Sequence, residues 1–201
     1  MNKENKVTFG LKNVHYVPID IEGLLVKFGT PIPLPGGVEL TFEPRGDLIE
    51  FYADDMLYYA ASNNQGYDGT LSIATIPEQF AIDALGEQLD ETDGVLNELA
   101  DAKGKSFALL FALLFEFDGD VNATRHVMYN CAASRPTIAS KTKTNSAEPN
   151  TNELKFVSSP IVLAPGGRPM VKTKTTSKTT QAIYDNWYKE VYVKKTVSQG
   201  A

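Results

Sequence analysis

The chain has very few of the residues that usually carry chemistry. One cysteine, Cys131, in 201 residues excludes an internal disulfide framework and a thiolate metal cage. The two histidines, His15 and His126, have no second histidine or cysteine at ligand spacing, so no zinc site is expected. Long hydrophobic runs are absent too. The longest, Phe107 to Phe115, is nine residues, too short for a membrane-spanning helix. The opening stretch, Met1 to Lys6, is polar with no apolar run behind it, so no secretory signal is read and synthesis in the cytosol is expected. There is no phosphate-binding P-loop, no dinucleotide fingerprint and no G-x-S-x-G elbow. Asp54-Asp55 and Asp118 with Asp120 come nearest to paired carboxylates. Neighbours on a strand point to opposite faces, however, and Asp-Gly-Asp is ordinary turn chemistry. Gly36-Gly37 and Gly166-Gly167 follow prolines and read as turns. His126 beside Arg125 reads as a strand-surface residue rather than a base. No catalytic residue, metal ligand or cofactor is expected.

What is present is material for a β-rich core. The chain is 42% hydrophobic, which excludes global disorder, and its length suits one domain, 1–201, with arms at both ends. Val38, Leu40 and Phe42 alternate with Glu39, Thr41 and Glu43, a strand with one wet face. Tyr67, Gly69, Leu71 and Ile73 share one face of another strand, opposite Asp68, Thr70 and Ser72. Phe107 to Phe117 is apolar on both faces, which predicts a central strand covered on both sides. Asp118-Gly119-Asp120 is a turn, and Arg125 to Ala133 is the returning partner, with Cys131 on one face with Val127 and Tyr129 as a buried structural thiol. Further strands are expected at Leu154 to Ser159 and Pro169 to Thr176. Pro77, at the first turn, opens a helix that ends before Gly86 and turns Phe80, Ala84 and Leu85 toward a sheet. Thr180 to Tyr192 fits a helix through Ile183, Trp187 and Val191, yet Val191-Tyr192-Val193 also suits a strand.

Charge is divided unevenly. Residues 1–100 hold 5 basic against 17 acidic side chains, net −12, and residues 101–201 hold 14 against 8, net +6. The split serves nucleic-acid binding, pairing between neighbouring copies, or neither if the halves interleave in one fold. The Lys/Thr tract around Lys172, Lys174 and Lys178 lacks interleaved aromatics, and a pI near 5.0 argues against a dedicated nucleic-acid binder. Three stretches do not read as core: Glu43 to Gln65, Ser140 to Asn152 and Met170 to Thr180. The first is a long loop that sets Phe51, Tyr52, Met56, Leu57, Tyr58 and Tyr59 beside Asp54 and Asp55. A loop so rich in aromatics reads as a contact element.

Taken in order, FYADD (51–55), GYDGTL (66–71), IPEQF (76–80), DGVLNE (93–98), FALLFEFDGD (within 107–120), ATRHVMYNCAASRP (123–136), TNELKF (151–156) and SSP (158–160) resemble the major tail proteins of bacteriophages with long, flexible, non-contractile tails that infect Gram-positive hosts. The likeness runs over roughly residues 20–175. It implies a β-sandwich or barrel subunit with one flanking helix, assembled as stacked hexameric rings into the hollow tail tube that conducts phage DNA. The expected partners are further copies of the chain, the tail terminator, tape measure and distal tail proteins, with transient, non-specific passage of DNA and no membrane. The expected location is the virion tail, assembled in the host cytoplasm. Carried onto this chain, the inter-ring loop is 43–65, with Phe51, Tyr52, Asp54, Asp55, Met56, Leu57, Tyr58 and Tyr59 as contact candidates. The arms are 1–12 and 170–201, the latter with Lys172, Lys174 and Trp187. Glu39, Glu43 and Asp68 are the candidates to face the bore. FALL stands twice in tandem, at 107–110 and 111–114, where the family pattern implies one copy; the extra residues lengthen a strand by about 13 Å without changing its facing. The alternatives are another virion part, such as a tail terminator or capsid-decoration protein, and a monomeric ligand-binding β-barrel.

Overall fold

The computed structural model describes residues 4–23, 25–99, 110–138 and 150–194. Its elements are β1 (Thr8–Glu22), β2 (Leu25–Phe28), β3 (Ile32–Pro33), β4 (Gly37–Arg45), β5 (Leu48–Ala53), β6 (Met56–Ser62), β7 (Gly66–Ile73), α1 (Glu78–Phe80), β8 (Gln88–Asp90), β9 (Val95–Asn97), β10 (Leu110–Gly119), β11 (Thr124–Ala133), β12 (Asn152–Ser158), β13 (Lys172–Lys174) and α2 (Gln181–Asn186). The short α1 opens into a π-helical turn, Ala81–Leu85, that ends at Gly86.

The two-faced apolar strand explains the architecture. β10 lies between β1 and β11, antiparallel to both, in a nine-stranded sheet of order β2-β1-β10-β11-β12-β7-β4, with β13 beside β11 and β3 beside β1. Phe111, Leu113 and Phe115 project into one hydrophobic core and Ala112 and Leu114 into a second, as a strand buried on both faces requires. The fold is mainly β, as expected. The sheet rolls on itself without closing into a barrel. Phe42 of β4 stacks on Phe115 of β10 at 5.4 Å and meets Phe156 of β12 edge-on at 5.8 Å. The first core fills the roll, and Phe80 plugs it through T-shaped contacts with Tyr16 and Phe111. The second core lies outside the roll, under Trp187 and Val191.

Several sequence expectations change. The charged halves interleave, because β10, β11 and β12 sit between β1 on one side and β7 and β4 on the other. The stretch expected to be an N-terminal arm, 1–12, runs into the fifteen-residue β1 from Thr8 onward. Residues 170–194 are likewise packed down as β13, α2 and the cover of the second core. Thr180 to Tyr192 is helical only over Gln181–Asn186. Cys131 does not share a face with Val127 and Tyr129. A bulge in β11, between the pairs Phe111↔Cys131 and Leu113↔Met128, turns Cys131 into the first core while Val127 and Tyr129 stay in the second. It remains a buried thiol, pushed up to about 12 by burial. Strand β10 runs through Asp118 and Gly119, so the turn begins at Asp120. The 140–149 part of the Ser/Thr-rich stretch and the first FALL up to residue 109 lie outside the described residues.

Candidate assembly surfaces

The segment expected as a long contact loop is a β-hairpin. β5 and β6 pair from Leu48↔Ser62 to Ala53↔Met56, joined only by Asp54 and Asp55. These have φ of 51° and 59°, the two left-handed residues of a type I′ turn, whose twist matches paired strands. The signal was an Asp-Asp step between apolar runs, less conspicuous than Asn-Gly. At the root, Gly46 and Gly66 have φ near 100°, and a Cβ on either would come within 2 Å of a backbone carbonyl oxygen, of Asn63 and of Ser158 respectively. Only glycine admits these crossings, so they set the angle at which the hairpin leaves the roll.

The hairpin carries apolar side chains on both faces and buries none of them. Ile49, Phe51 and Tyr59 share one face, and Leu48, Glu50 and Tyr52 the other. Leu48, Ile49, Phe51, Tyr52, Met56, Leu57, Tyr58 and Tyr59 are at least half exposed. The sequence candidates in this segment are therefore brought together on one projecting element. An isolated hairpin is marginal in water, and this one carries its aromatic side chains exposed.

A second surface is the outer face of β4, β7 and β12. Register brings Glu39 beside Ser72 and Glu153, Thr41 beside Thr70 and Lys155, and Glu43 beside Asp68 and Val157. Glu39, Glu43 and Asp68 thus share one exposed face, net acidic, with Asp68 3.5 Å from the Arg45 guanidinium. Val38, expected on the inner face, is exposed because a register irregularity falls between Gly37 and Glu39. The far edge of β4 has no strand partner among the described residues.

The C-terminal candidates separate. Lys172 and Lys174 lie exposed on β13, Lys172 with its ammonium 4.3 Å from the Tyr67 ring centre. Trp187 is no free contact residue: it is 3% exposed, packed with Val17, Ala112, Leu114, Val127 and Tyr129 in the second core. Its indole N–H donates to the His126 carbonyl at 3.3 Å. The apolar spacing that marked Trp187 was real, and the surface it covers belongs to its own chain.

A polar network that the sequence did not reveal holds this cover in place. Arg125 on β11 donates to Glu116 on β10 at 3.0 Å and to the Tyr184 carbonyl, and its guanidinium lies 3.8 Å from the Tyr184 ring centre. Glu116 also accepts from the Asn13 amide at 2.6 Å and from the Tyr188 hydroxyl at 3.5 Å. Asn13 reaches it because its φ of 50° sits at an irregularity in β1 between Lys12 and His15. Burial, then the Glu116 charge, pushes the Tyr188 hydroxyl well above the usual tyrosine range. Nearby, His126 stacks on Phe115 at 4.9 Å. Burial, then Lys174 and Lys172, lowers it to about 4.

No protein-family model matches the chain, and no curated protein matches it. Similar chains among solved structures include three from cryo-EM structures. One is the anti-feeding prophage cap, the AFP tube terminating cap, at 11% identity over 87% of this chain and 96% of that one, TM-score 0.44. Another is the PVC sheath–tube complex of an extracellular contractile injection system in the extended state, at 11% identity over 85% and 93%, TM-score 0.44. The third is the PVC sheath/tube terminator in the extended state, at 10% identity over 78% and 96%, TM-score 0.44. A likeness at this level assigns neither a partner nor a function.

Proposed function

We propose that the chain is a structural component of a phage-type tail and works by assembling with copies of itself. The observation that carries this is the β5–β6 hairpin, an aromatic ribbon apolar on both faces that no other part of the described chain covers. The open edge of β4 adds a second place for another chain to pair. Contacts of this kind are head-to-tail and close into rings or extend as filaments. The ordered sequence motifs supply the class of assembly, a tail tube of stacked hexameric rings. In that assembly the acidic face of Glu39, Glu43 and Asp68 lines the bore and keeps DNA from adhering. A monomeric ligand-binding barrel fits poorly, because Phe111, Phe115, Phe156 and Phe80 fill the roll.

The second reading is a tail terminator; a tube terminating cap and a sheath/tube terminator are among the structures similar to this chain. It uses the same ring but stops at a single layer. Electron microscopy of purified protein separates the two. Hollow tubes support the tube subunit, single rings the terminator, and a monomer at high concentration overturns both. Shortening the hairpin by deleting Asp54 to Tyr59 removes no buried side chain. It is expected to leave the monomer folded and to abolish stacking; tubes as abundant as before would refute the hairpin's part.

A further inference from the structure

We infer that the β10–β11 turn is a double clasp, held by Asn5 from the segment before β1 and by Tyr184 from the cover after β13, so that loosening either segment loosens the other. The turn does not close itself. Asp120, Val121, Asn122 and Ala123 make no backbone–backbone hydrogen bond among the described residues, so their polar groups are left to side chains and solvent. Asn5 supplies what is missing. Its Oδ1 accepts from the N–H groups of Val121 at 3.0 Å and Asn122 at 3.1 Å. Its Nδ2 donates to the Asn122 carbonyl at 2.6 Å and to the Thr124 hydroxyl at 3.2 Å. Both amide protons and both lone pairs of the carboxamide are thus spent on this one turn. The neighbouring Lys6 N–H donates to the Asp120 carboxylate at 2.9 Å.

The next carbonyl along the turn belongs to the other segment. That of Ala123 accepts from the Tyr184 hydroxyl at 3.0 Å. Tyr184 is itself fixed to the start of β11, because its ring lies against the Arg125 guanidinium and its carbonyl accepts from it. Thr175, which is buried, grips the same residue from the start of the cover. Its hydroxyl accepts from the Arg125 N–H at 2.9 Å, and its own N–H donates to the Arg125 carbonyl at 2.8 Å. Consecutive carbonyls, of Asn122 and Ala123, are therefore held by segments from opposite sides of the sequence. Peptide planes are rigid, so only the two dihedrals of Ala123 separate these contacts. A turn that swings away from Asn5 cannot keep both carbonyls in place, and the turn is the element that both segments bias. A contact that draws one segment off its own subunit loosens the other through it.

Native-state hydrogen exchange, followed amide by amide on the full-length, unassembled chain, tests this. Asn5→Ala is expected to speed exchange at Val121 and Asn122. It is also expected to speed it at Tyr184 and Trp187, whose amides bond the Thr180 and Tyr184 carbonyls, by about fivefold, what one neutral hydrogen bond is worth. Tyr184→Phe removes only the hydroxyl and is expected to speed exchange at Lys6, Val121 and Asn122 as well as within α2. Gly119→Ala gives an independent lever. Gly119 lies outside the left-handed region, so alanine strains no backbone there, but its Cβ would collide with the Asn5 carboxamide and expel it. It is expected to reproduce the Asn5→Ala pattern and to add nothing in an Asn5→Ala background. Effects that stay within each variant's own segment would overturn the coupling. A Gly119→Ala effect as large without Asn5 as with it would overturn the clasp, as would wild-type Val121 and Asn122 amides that exchange without protection. The measurement needs no assembly, so a negative result leaves the tail reading standing.

Discussion

Trp187 is the only tryptophan in the chain, so its environment can be read directly. It is 3% exposed between the sheet and Tyr192, which stacks on it at 5.9 Å. Replacing it with alanine removes a large buried ring, which costs about 3–5 kcal/mol, and loses the indole hydrogen bond to the His126 carbonyl. For a chain of this size about 2–4 °C is lost per kcal/mol, so the melting temperature is expected to fall by about 10 °C. The assay is thermal and urea unfolding of dilute, unassembled protein followed by circular dichroism, with Trp187→Phe losing much less. Wild-type emission in the same dilute sample is expected to be that of a buried indole and to stay unchanged on assembly. An exposed-type emission that shifts to the blue only on assembly would refute the packing. So would a Trp187→Ala monomer of wild-type stability that no longer assembles. Either result would make Trp187 an intermolecular contact.

Arg125→Met is expected to cost about 3–5 kcal/mol in equilibrium unfolding, because it leaves Glu116 buried and uncompensated; adding Glu116→Gln should recover much of that loss. His126 sets a pH dependence. Its folded pKa of about 4 lies below the ordinary 6.5, so between those values the unfolded chain binds a proton that the folded chain does not. Its contribution is fully present above pH 6.5 and is lost as pH falls toward 4, by at most about 1.4 kcal/mol per pH unit. Urea unfolding at pH 7 and pH 5 should therefore show a smaller loss for His126→Phe than for wild type. A thiol reagent should leave Cys131 unmodified in the native protein and react on unfolding, since burial holds the thiol near 12; rapid native labelling would place it elsewhere. Asp68→Lys reverses charge on the proposed bore face and is expected to leave assembly intact while impairing DNA passage and infectivity.

Fold class was legible before any coordinates because alternation is a local property. Phe111 to Phe115 declared a strand with two apolar faces, Tyr67 to Ile73 a strand with one, and Pro77 with Gly86 bracketed the short helix. The same alternation misplaced Cys131, because a bulge shifts facing and shows only when two strands are paired. It left 43–65 as a loop, because an Asp-Asp turn is a weak signal until both residues are seen with positive φ.

The sequence by itself determined a β-rich chain with a conspicuous aromatic segment. Tertiary structure decided which aromatic residues are buried and which stand exposed. Trp187 and the aromatics at 51–59 look alike as apolar residues near polar ones. One is covered by Val17, Leu114 and Tyr129 from far along the chain, and the others stay at least half exposed. Burial is a property of what the rest of the chain brings alongside.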